Sequence, residues 1–258
     1  AVDAVVFGVY FNMGECCNSG SRILVHRSFA GEFMERVREQ AKRVTVGDPL
    51  DEATKIGAII NQNQYDKIAG YIKGAKESGA KLALGGHPLK TDAGRFFEPT
   101  IFEGVRPEMA IAKEEVFGPV LSAIEFDSVE EAISIANNTS YGLSAGVWSK
   151  DTDTAFRFAR GIRAGTIWIN TFMDGYPELS FGGFKESGLG RELGRHSIDE
   201  FTELKTVQLH IGERTNWWVP GAGPAGGGSA DKRRNPSEPT EETGATGTTG
   251  GESIGQGS

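Results

Sequence analysis

Two adjacent cysteines, Cys16 and Cys17, are the only cysteines in the 258-residue sequence. They follow Gly14 and precede a run of small polar residues, a composition typical of a tight turn. Neighbouring cysteines do not readily form a disulfide with each other, because the bridge requires a wider Cα separation, and the Cys-x-x-Cys spacing of metal and redox sites is absent. A thiol on such a turn could act as a nucleophile, since backbone N–H groups lower its pKa and can later bind an oxyanion. The alternative is a buried, inert thiol.

The composition of the sequence narrows the classes of partner. A net charge of -8 disfavours nucleic acid or an anionic membrane surface as the main partner. No apolar run approaches the roughly 20 residues that span a bilayer, and no spacing of cysteines suggests a metal site or a disulfide framework. We therefore expect a protein of the reducing cytoplasm. Because the sequence starts at Ala1 in the middle of a helical pattern, we also expect it to begin inside a larger parent protein.

Helical and strand patterns alternate along the first 170 residues. Ser28, Ser128 and Asp151 are predicted helix N-caps, and residues 96–102 are predicted to be an extended loop. The pattern predicts helices over residues 2–9, 29–44, 61–79, 129–136 and 152–159, and strands over 21–26, 81–84, 120–126, 144–148 and 165–170. Such alternation favours an α/β domain with a largely parallel sheet. Ligands of open α/β sheets bind beyond the carboxyl ends of the strands, so we expect the loops after Asn170 and around Glu115 to gather near the cysteines.

The C-terminal part of the sequence has a different character. Residues 202–211 alternate polar and apolar side chains, which favours either a strand that pairs with a second subunit or an ordinary edge strand. Residues 213–258 are rich in Gly, Ser, Thr and Pro and are predicted to be a disordered tail. We therefore divide the chain into a catalytic-type domain over 1–200, an oligomerisation strand within 201–212, and the tail.

Four stretches together resemble one family, the NAD(P)-dependent aldehyde dehydrogenases. They are Gly-Glu-Cys-Cys at 14–17, Lys-Glu-Glu-Val-Phe-Gly-Pro-Val at 113–120, Asn-Asn-Thr-Ser-Tyr-Gly-Leu-Ser-Ala at 137–145, and Ser-Phe-Gly-Gly-Phe-Lys-Glu-Ser-Gly-Leu-Gly-Arg-Glu at 180–192. Each stretch is moderately specific, and the four occur in the family's order. The resemblance covers residues 1–211 and implies the fold of that family's catalytic domain.

The resemblance implies a nucleophile and a reaction. It places the nucleophile at Cys17, whose thiolate would attack the carbon of a small aldehyde and give a thiohemiacetal. The backbone N–H of Cys17 would stabilise its oxyanion. Hydride transfer to NAD or NADP and hydrolysis of the thioester would complete the oxidation. The resemblance also implies a homo-oligomer that pairs through the 202–211 strand.

Cofactor contacts are implied at four positions. Glu115 would hydrogen-bond the hydroxyls of the nicotinamide ribose, and Phe117 would pack near the same group. Gln64 and Lys67 match positions that touch the adenosine end. From residue type alone, Glu115 is as readily a solvent-facing charge, and Gln64 and Lys67 are the polar face of a helix.

Aromatic residues are implied at the substrate side. Phe181 lies in the stretch that lines the family's substrate tunnel, and Phe172 and Tyr176 lie on the preceding loop, although aromatic residues near glycine are often plain packing. Arg22 and Arg191 are interpreted as structural, through ion pairs or backbone contacts. Asn170, at the end of a strand, is interpreted as a structural or site-supporting amide.

The sequence also departs from the family. The family's glutamate base, its oxyanion-hole asparagine and its Rossmann cofactor domain lie upstream of the cysteine motif and are not among these residues. We expect the chain on its own to bind NAD weakly and not to turn over. One alternative is a non-catalytic remnant or interaction protein that keeps the fold. A second is a cysteine hydrolase, which would require a histidine base from the four available, His26, His87, His196 and His210.

Overall fold

The computed structural model describes residues 1–89 and 94–212. The chain divides into two units, Ala1–Leu204 and Lys205–Ser258, and the first contains every helix and strand of the described residues. The tail predicted over 213–258 lies outside the described residues. None of the helices described is both long and apolar enough to cross a membrane.

Helices and strands alternate as the sequence pattern predicts. The helices are α1 (Val2–Tyr10), α2 (Ala30–Ala41), α3 (Gln62–Glu77), α4 (Ala110–Lys113), α5 (Val129–Asn137), α6 (Thr152–Gly161) and α7 (His196–Glu200). The strands are β1 (Arg22–His26), β2 (Lys81–Leu84), β3 (Pro88–Leu89), β4 (Phe96–Phe97), β5 (Thr100–Glu103), β6 (Val120–Phe126), β7 (Tyr141–Gly142), β8 (Ser144–Val147), β9 (Thr166–Ile169) and β10 (Phe184–Lys185).

The largest sheet has four strands in the order β1-β6-β5-β2. β6 runs parallel to both β1 and β5, with Arg22 opposite Ser122 and Thr100 opposite Val120, and β2 is an antiparallel edge strand. β8 and β9 form a separate parallel pair, and β3–β4 and β7–β10 are antiparallel pairs. The predicted α/β class with a largely parallel sheet is confirmed.

Side-chain caps start three of the helices. Asn61, Ser128 and Asp151 each accept a hydrogen bond from the backbone N–H three residues later, which satisfies a donor of the first turn. The predicted caps at Ser128 and Asp151 are therefore confirmed. The predicted cap at Ser28 is wrong: a 3₁₀ turn over Arg27–Phe29 separates β1 from α2, and the N–H of Ser28 donates to His26 Nδ1 instead.

Most of residues 96–102 lie in strands rather than in the predicted loop. Phe96–Phe97 is β4, and Thr100 begins β5, with Pro99 between the two strands. Ile101 and Phe102 are fully buried in β5, which lies between β6 and β2. The Glu-Pro-Thr sequence resembles a loop locally, but the ladder of β6 and the burial of these apolar residues decide the conformation.

The four-stranded sheet buries apolar residues on both faces. Successive strand residues point to opposite faces, so Ile101 and Leu121 join one core while Phe102 and Val120 join the other. Helices α1 and α2 pack on the first face, and α3 covers the second. Residues 202–211, in contrast, are exposed and pair with no strand among the described residues, so their pairing with a second subunit stays a prediction.

Candidate active site

The cysteine turn follows α1 through three residues with left-handed backbone. Asn12, Met13 and Gly14 have φ of 50°, 60° and 73°. Asn12 stabilises this reversal, because its Nδ2 donates to the carbonyl of Glu15 at 2.8 Å and its own carbonyl accepts the Glu15 N–H at 2.9 Å. The next turn closes from the N–H of Ser19 to the carbonyl of Cys16 at 2.9 Å. The predicted tight turn around the cysteines is therefore present.

The two thiols differ in environment. Cys17 is exposed and Cys16 is half-buried. Desolvation and the neighbouring Cys16 raise the pKa of the Cys17 thiol, although the N–H groups of Asn18 and Cys17 act to lower it. The expectation that the turn lowers the pKa of the thiol is therefore wrong for the net shift, because partial burial and a second sulfur outweigh two backbone donors.

A backbone contact brings the cysteine turn to the 113–119 segment. A Cβ added to Gly14 would lie 2.1 Å from the carbonyl oxygen of Gly118 and 2.9 Å from the nitrogen of Pro119. Gly14 and Gly118, 104 positions apart in the sequence, thus meet through the one residue type that permits this approach.

The meeting point lies at the amino ends of the strands. The cysteine turn precedes β1, and Gly118 and Pro119 precede β6. The predicted gathering around the cysteines is confirmed for the Glu115 segment, but the expected edge is wrong for the four-stranded sheet. The contact of Gly14 with Gly118 fixes these two loops at the amino end, opposite to the usual position in open α/β sheets.

Gln64 connects α3 to the same segment. Its Nε2 donates to the carbonyls of Val116 at 3.0 Å and Phe117 at 2.6 Å. Phe117 has a φ of 56°, unusual for a bulky side chain. Glu115 is exposed and makes no ion pair with any cation of the described residues. The structure therefore brings together Gln64, Glu115 and Phe117, three of the four predicted cofactor positions.

Lys67, the fourth cofactor position, lies one turn further along α3. Its side chain is exposed, and Nζ is 6.0 Å from the centroid of the Tyr71 ring. The hydroxyl of Tyr71 donates to Glu114 Oε2 at 2.8 Å, which adds a second side-chain link between α3 and the segment.

Phe172 brings the loop after Asn170 to the cysteine turn. Cβ atoms added to Gly8 and Gly20 would lie 2.6 Å and 3.4 Å from its ring, and the N–H of Gly20 donates to the carbonyl of Gly8 at 2.9 Å. Asn170 fixes the base of this loop, since its side chain both accepts from and donates to the backbone of Ser149. The predicted approach of this loop and the supporting role of Asn170 are confirmed.

The predicted substrate residues have other contacts. The backbone of Phe181 pairs with that of Glu192 through two hydrogen bonds of 2.7 Å, and Tyr176 is 64% exposed. Their role at the substrate stays a prediction. The predicted structural role of the two arginines is confirmed: Arg22 donates to the carbonyls of Ala112 and Ala136, and Arg191 to those of Gly183 and Gly190.

The sequence patterns did not predict the environment of several residues near the cysteines. Phe7 on α1 and Phe11 just after this helix are about half exposed, with ring centroids 5.2 Å apart. Their i, i+4 spacing is the signal that could have identified them. Asn18 Oδ1 and Ser19 Oγ, next to Cys17, are buried with no hydrogen-bond partner among the described residues, and no sequence pattern indicates this.

Other chemistries lack support within the described residues. His26 Nδ1 lies 2.8 Å from Ser28 Oγ, and His196 Nδ1 lies 3.8 Å from Asp199 Oδ2, so neither is paired with Cys17 as a hydrolase base would be. Across residues 1–89 and 94–212, no group of three or more His, Cys, Asp or Glu residues could hold a metal ion.

Comparison with known proteins identifies the family of this chain. The family model of the aldehyde dehydrogenase family matches residues 1–207. Human retinaldehyde dehydrogenase 3 is 46% identical over 214 residues, which cover 83% of this chain and 42% of the relative. Cytosolic aldehyde dehydrogenase 2 of Macroscelides proboscideus is 44% identical over 216 residues, which cover 84% of this chain and 90% of that sequence.

A solved structure gives the same result. The crystal structure of an NAD-dependent aldehyde dehydrogenase from Sinorhizobium meliloti matches with a TM-score of 0.81 at 47% identity, covering 84% of this chain and 43% of that one. The chain thus spans less than half the length of the human relative and of this structure. Because the family model covers most of the chain and the fold matches that of a solved relative, the chain belongs to the aldehyde dehydrogenase family.

Proposed function

We propose that the protein oxidises an aldehyde to a carboxylic acid, with Cys17 as the nucleophile and NAD or NADP as the hydride acceptor. The observation that carries the proposal is the contact of Gly14 with Gly118. This contact places the cysteine turn beside the segment that contains Glu115 and Phe117. A nucleophile and a cofactor-binding carboxylate must lie close together if hydride is to leave the carbon that the nucleophile has attacked.

The residues of this segment fit a dinucleotide cofactor. The exposed carboxylate of Glu115 can accept hydrogen bonds from two vicinal ribose hydroxyls, and Phe117 offers an apolar face beside it. Gln64 holds the backbone of Phe117, and the exposed Lys67 lies on the same helix, where its ammonium can meet a polar or anionic part of the cofactor. NAD(P), when bound, accepts the hydride. The family resemblance and the NAD dependence of the Sinorhizobium relative support this choice.

Cys17 performs the covalent part of the reaction. Its thiolate forms a C–S bond with the aldehyde carbon, and the electron pair of the carbonyl moves to oxygen, where the Cys17 N–H stabilises the charge. After hydride leaves, the carbon is held as a thioester, and attack by water breaks the C–S bond and releases the acid. Because the pKa of Cys17 is raised, a base has to take the thiol proton at neutral pH. By the family resemblance, the base for the hydrolytic water is a glutamate upstream of the cysteine motif.

The substrate and the assembly are part of the same proposal. Phe181 and Tyr176, with the exposed Phe11, offer aromatic surface for an uncharged or apolar aldehyde. The exposed apolar side chains of Leu204, Val207 and Leu209 favour pairing of the 202–211 segment with a second subunit in a homo-oligomer. The cytoplasm is the proposed location, supported by the name of the cytosolic relative.

The test is a dehydrogenase assay, followed as NADH absorbance with acetaldehyde and hexanal, on the full-length protein that the gene encodes. Cys17→Ser should lower kcat by at least about 10³-fold, because the variant cannot form the thiohemiacetal. Cys16→Ser is the matched control and should retain activity within a few-fold. Activity that survives Cys17→Ser, or that is lost only in Cys16→Ser, would show that Cys17 is not the nucleophile. An inactive wild-type protein would favour the non-catalytic remnant.

A further inference from the structure

The segment that carries Glu115 begins at a very short helix whose carbonyls need donors. α4 has only four residues, Ala110–Lys113, so most of its carbonyls find no N–H within the helix. The N–H of Glu114 donates to Ala110, which leaves the carbonyls of Ala112 and Lys113 without a donor from the helix itself. Ala112 is 1% exposed, so its carbonyl has little access to water.

Arg22 supplies the donor to Ala112. It is the first residue of β1, five positions after Cys17, and its side chain crosses from the cysteine turn to the end of α4. Nη1 donates to the carbonyl of Ala112 at 2.9 Å, and Nη2 donates to the carbonyl of Ala136 at 3.2 Å, in the last turn of α5. One planar guanidinium thus serves two helix C-termini, where positive charge is favoured. A lysine ammonium could also donate twice, but from a single nitrogen and without the planar fork that spans these two carbonyls.

The remainder of the segment is held from other elements. Thr139 Oγ1 donates to the carbonyl of Lys113 at 3.2 Å, and Gln64 donates to the carbonyls of Val116 and Phe117. Donors therefore hold the backbone on both sides of Glu115. Among these donors, only Arg22 belongs to the strand that leads directly from the cysteine turn.

We propose that Arg22 is a positioning residue that fixes the Glu115–Phe117 segment relative to Cys17. It does not touch the reacting atoms. It sets where the exposed carboxylate of Glu115 lies with respect to the thiol, and its functional consequence rests on the proposed role of Glu115 in binding NAD(P). The structural half of the inference does not depend on that role, because it concerns the backbone of residues 112–118 alone.

The test compares Arg22→Lys, which keeps the charge but loses the planar guanidinium with its two separate Nη donors, with Arg36→Lys at the exposed surface of α2. In hydrogen–deuterium exchange, Arg22→Lys should speed exchange of peptides over residues 112–118 by about 10-fold or more, with α6 unchanged and Arg36→Lys like the wild type. Acceleration spread evenly over all peptides, or none at 112–118, would overturn the proposal. If Arg22→Lys does not fold, Arg22→Gln, which buries no charge, is measured instead.

A kinetic arm on the full-length protein links position to function. Arg22→Lys should raise the KM for NAD by several-fold with a smaller change in kcat, and the pH dependence of Cys17 alkylation should stay that of the wild type. Faster local exchange with no change in the KM for NAD would support the positional role and count against the proposed cofactor role of Glu115. A loss of kcat with an unchanged KM for NAD would overturn the proposal that Arg22 acts by positioning Glu115 for cofactor binding.

Discussion

The two ends of the four-stranded sheet are held by different kinds of contact. At the amino end, before β1 and β6, the cysteine turn meets the 113–119 segment through a backbone contact of Gly14 with Gly118. At the carboxyl end, long charged side chains form ion pairs: Arg38 and Lys81 both contact Glu103, and Arg27 contacts Glu125 and Asp127. The first arrangement fixes backbone positions, whereas the second joins side chains that are partly buried or exposed.

This difference supports the amino end as the location of the proposed chemistry. A catalytic thiol and a cofactor-binding carboxylate need fixed positions, and contacts between backbones supply them better than exposed ion pairs do. Open α/β sheets usually place ligands at the carboxyl end, where helix N-termini also gather. Here, close packing at glycine and the donors on Arg22 and Gln64 hold the proposed site at the opposite end of the four-stranded sheet.

The largest expected effect is at the glycine contact. Gly14→Ala adds a Cβ 2.1 Å from the carbonyl oxygen of Gly118 to a residue whose φ is 73°. It should cost about 3–5 kcal/mol of unfolding free energy and abolish activity, since the two loops must separate. Urea unfolding measures the first and the NADH assay the second. Gly31→Ala is the control: nothing lies within 4 Å of its added Cβ in α2, so it should stabilise by up to about 1 kcal/mol.

A moderate effect is expected at the partly buried ion pair of the carboxyl end. The side chains of Arg38 and Glu103 are 28% and 18% exposed. Arg38→Gln leaves Glu103 with only the exposed Lys81 and should cost about 1–2 kcal/mol in urea unfolding. The rate of Cys17 alkylation should not change. An altered rate of Cys17 alkylation would mean that the ion pairs at the carboxyl end influence the cysteine turn, which would contradict the separation of the two ends.

The smallest effect is expected at Arg27. The Arg27 guanidinium holds the pKa of Asp127 below its usual range. A lowered carboxyl pKa stabilises the folded state above the unfolded pKa, near 3.9, and this contribution is lost as the pH falls through the lower folded value. The Tm of Arg27→Gln should therefore lie slightly below that of the wild type at neutral pH and converge with it in acid. A difference in Tm between Arg27→Gln and the wild type that grows as the pH falls would contradict the predicted direction of the pH dependence.

Much of the fold is readable from local patterns. The apolar spacing of α1, the strand Val120–Phe126 and the caps at Ser128 and Asp151 depend on neighbours within a few positions, and each is as predicted. The strand that begins at Thr100 was missed, because its conformation depends on β6 and β2 rather than on its own residues.

The site was less readable than the fold for the same reason. The family resemblance indicated Gln64, Glu115 and Phe117, of which Gln64 lies outside the four motifs, and the structure brings these residues together. The edge of the four-stranded sheet could not be predicted, because it depends on a contact between Gly14 and Gly118, 104 positions apart. The net pKa shift of Cys17 was also out of reach, since desolvation and the orientation of Cys16 exist only in the folded chain.

The central claim is that Cys17 is the accessible, reactive thiol, and its most direct test is alkylation by iodoacetamide as a function of pH. Mass spectrometry distinguishes the two cysteines. In the wild-type chain, Cys17 should be labelled first, with a midpoint above the ordinary thiol value of about 8.5. In Cys16→Ala the midpoint should fall, because Cys16 raises the pKa of Cys17. Preferential labelling of Cys16, or a Cys17 that stays unlabelled at alkaline pH in the folded chain, would contradict a Cys17 nucleophile.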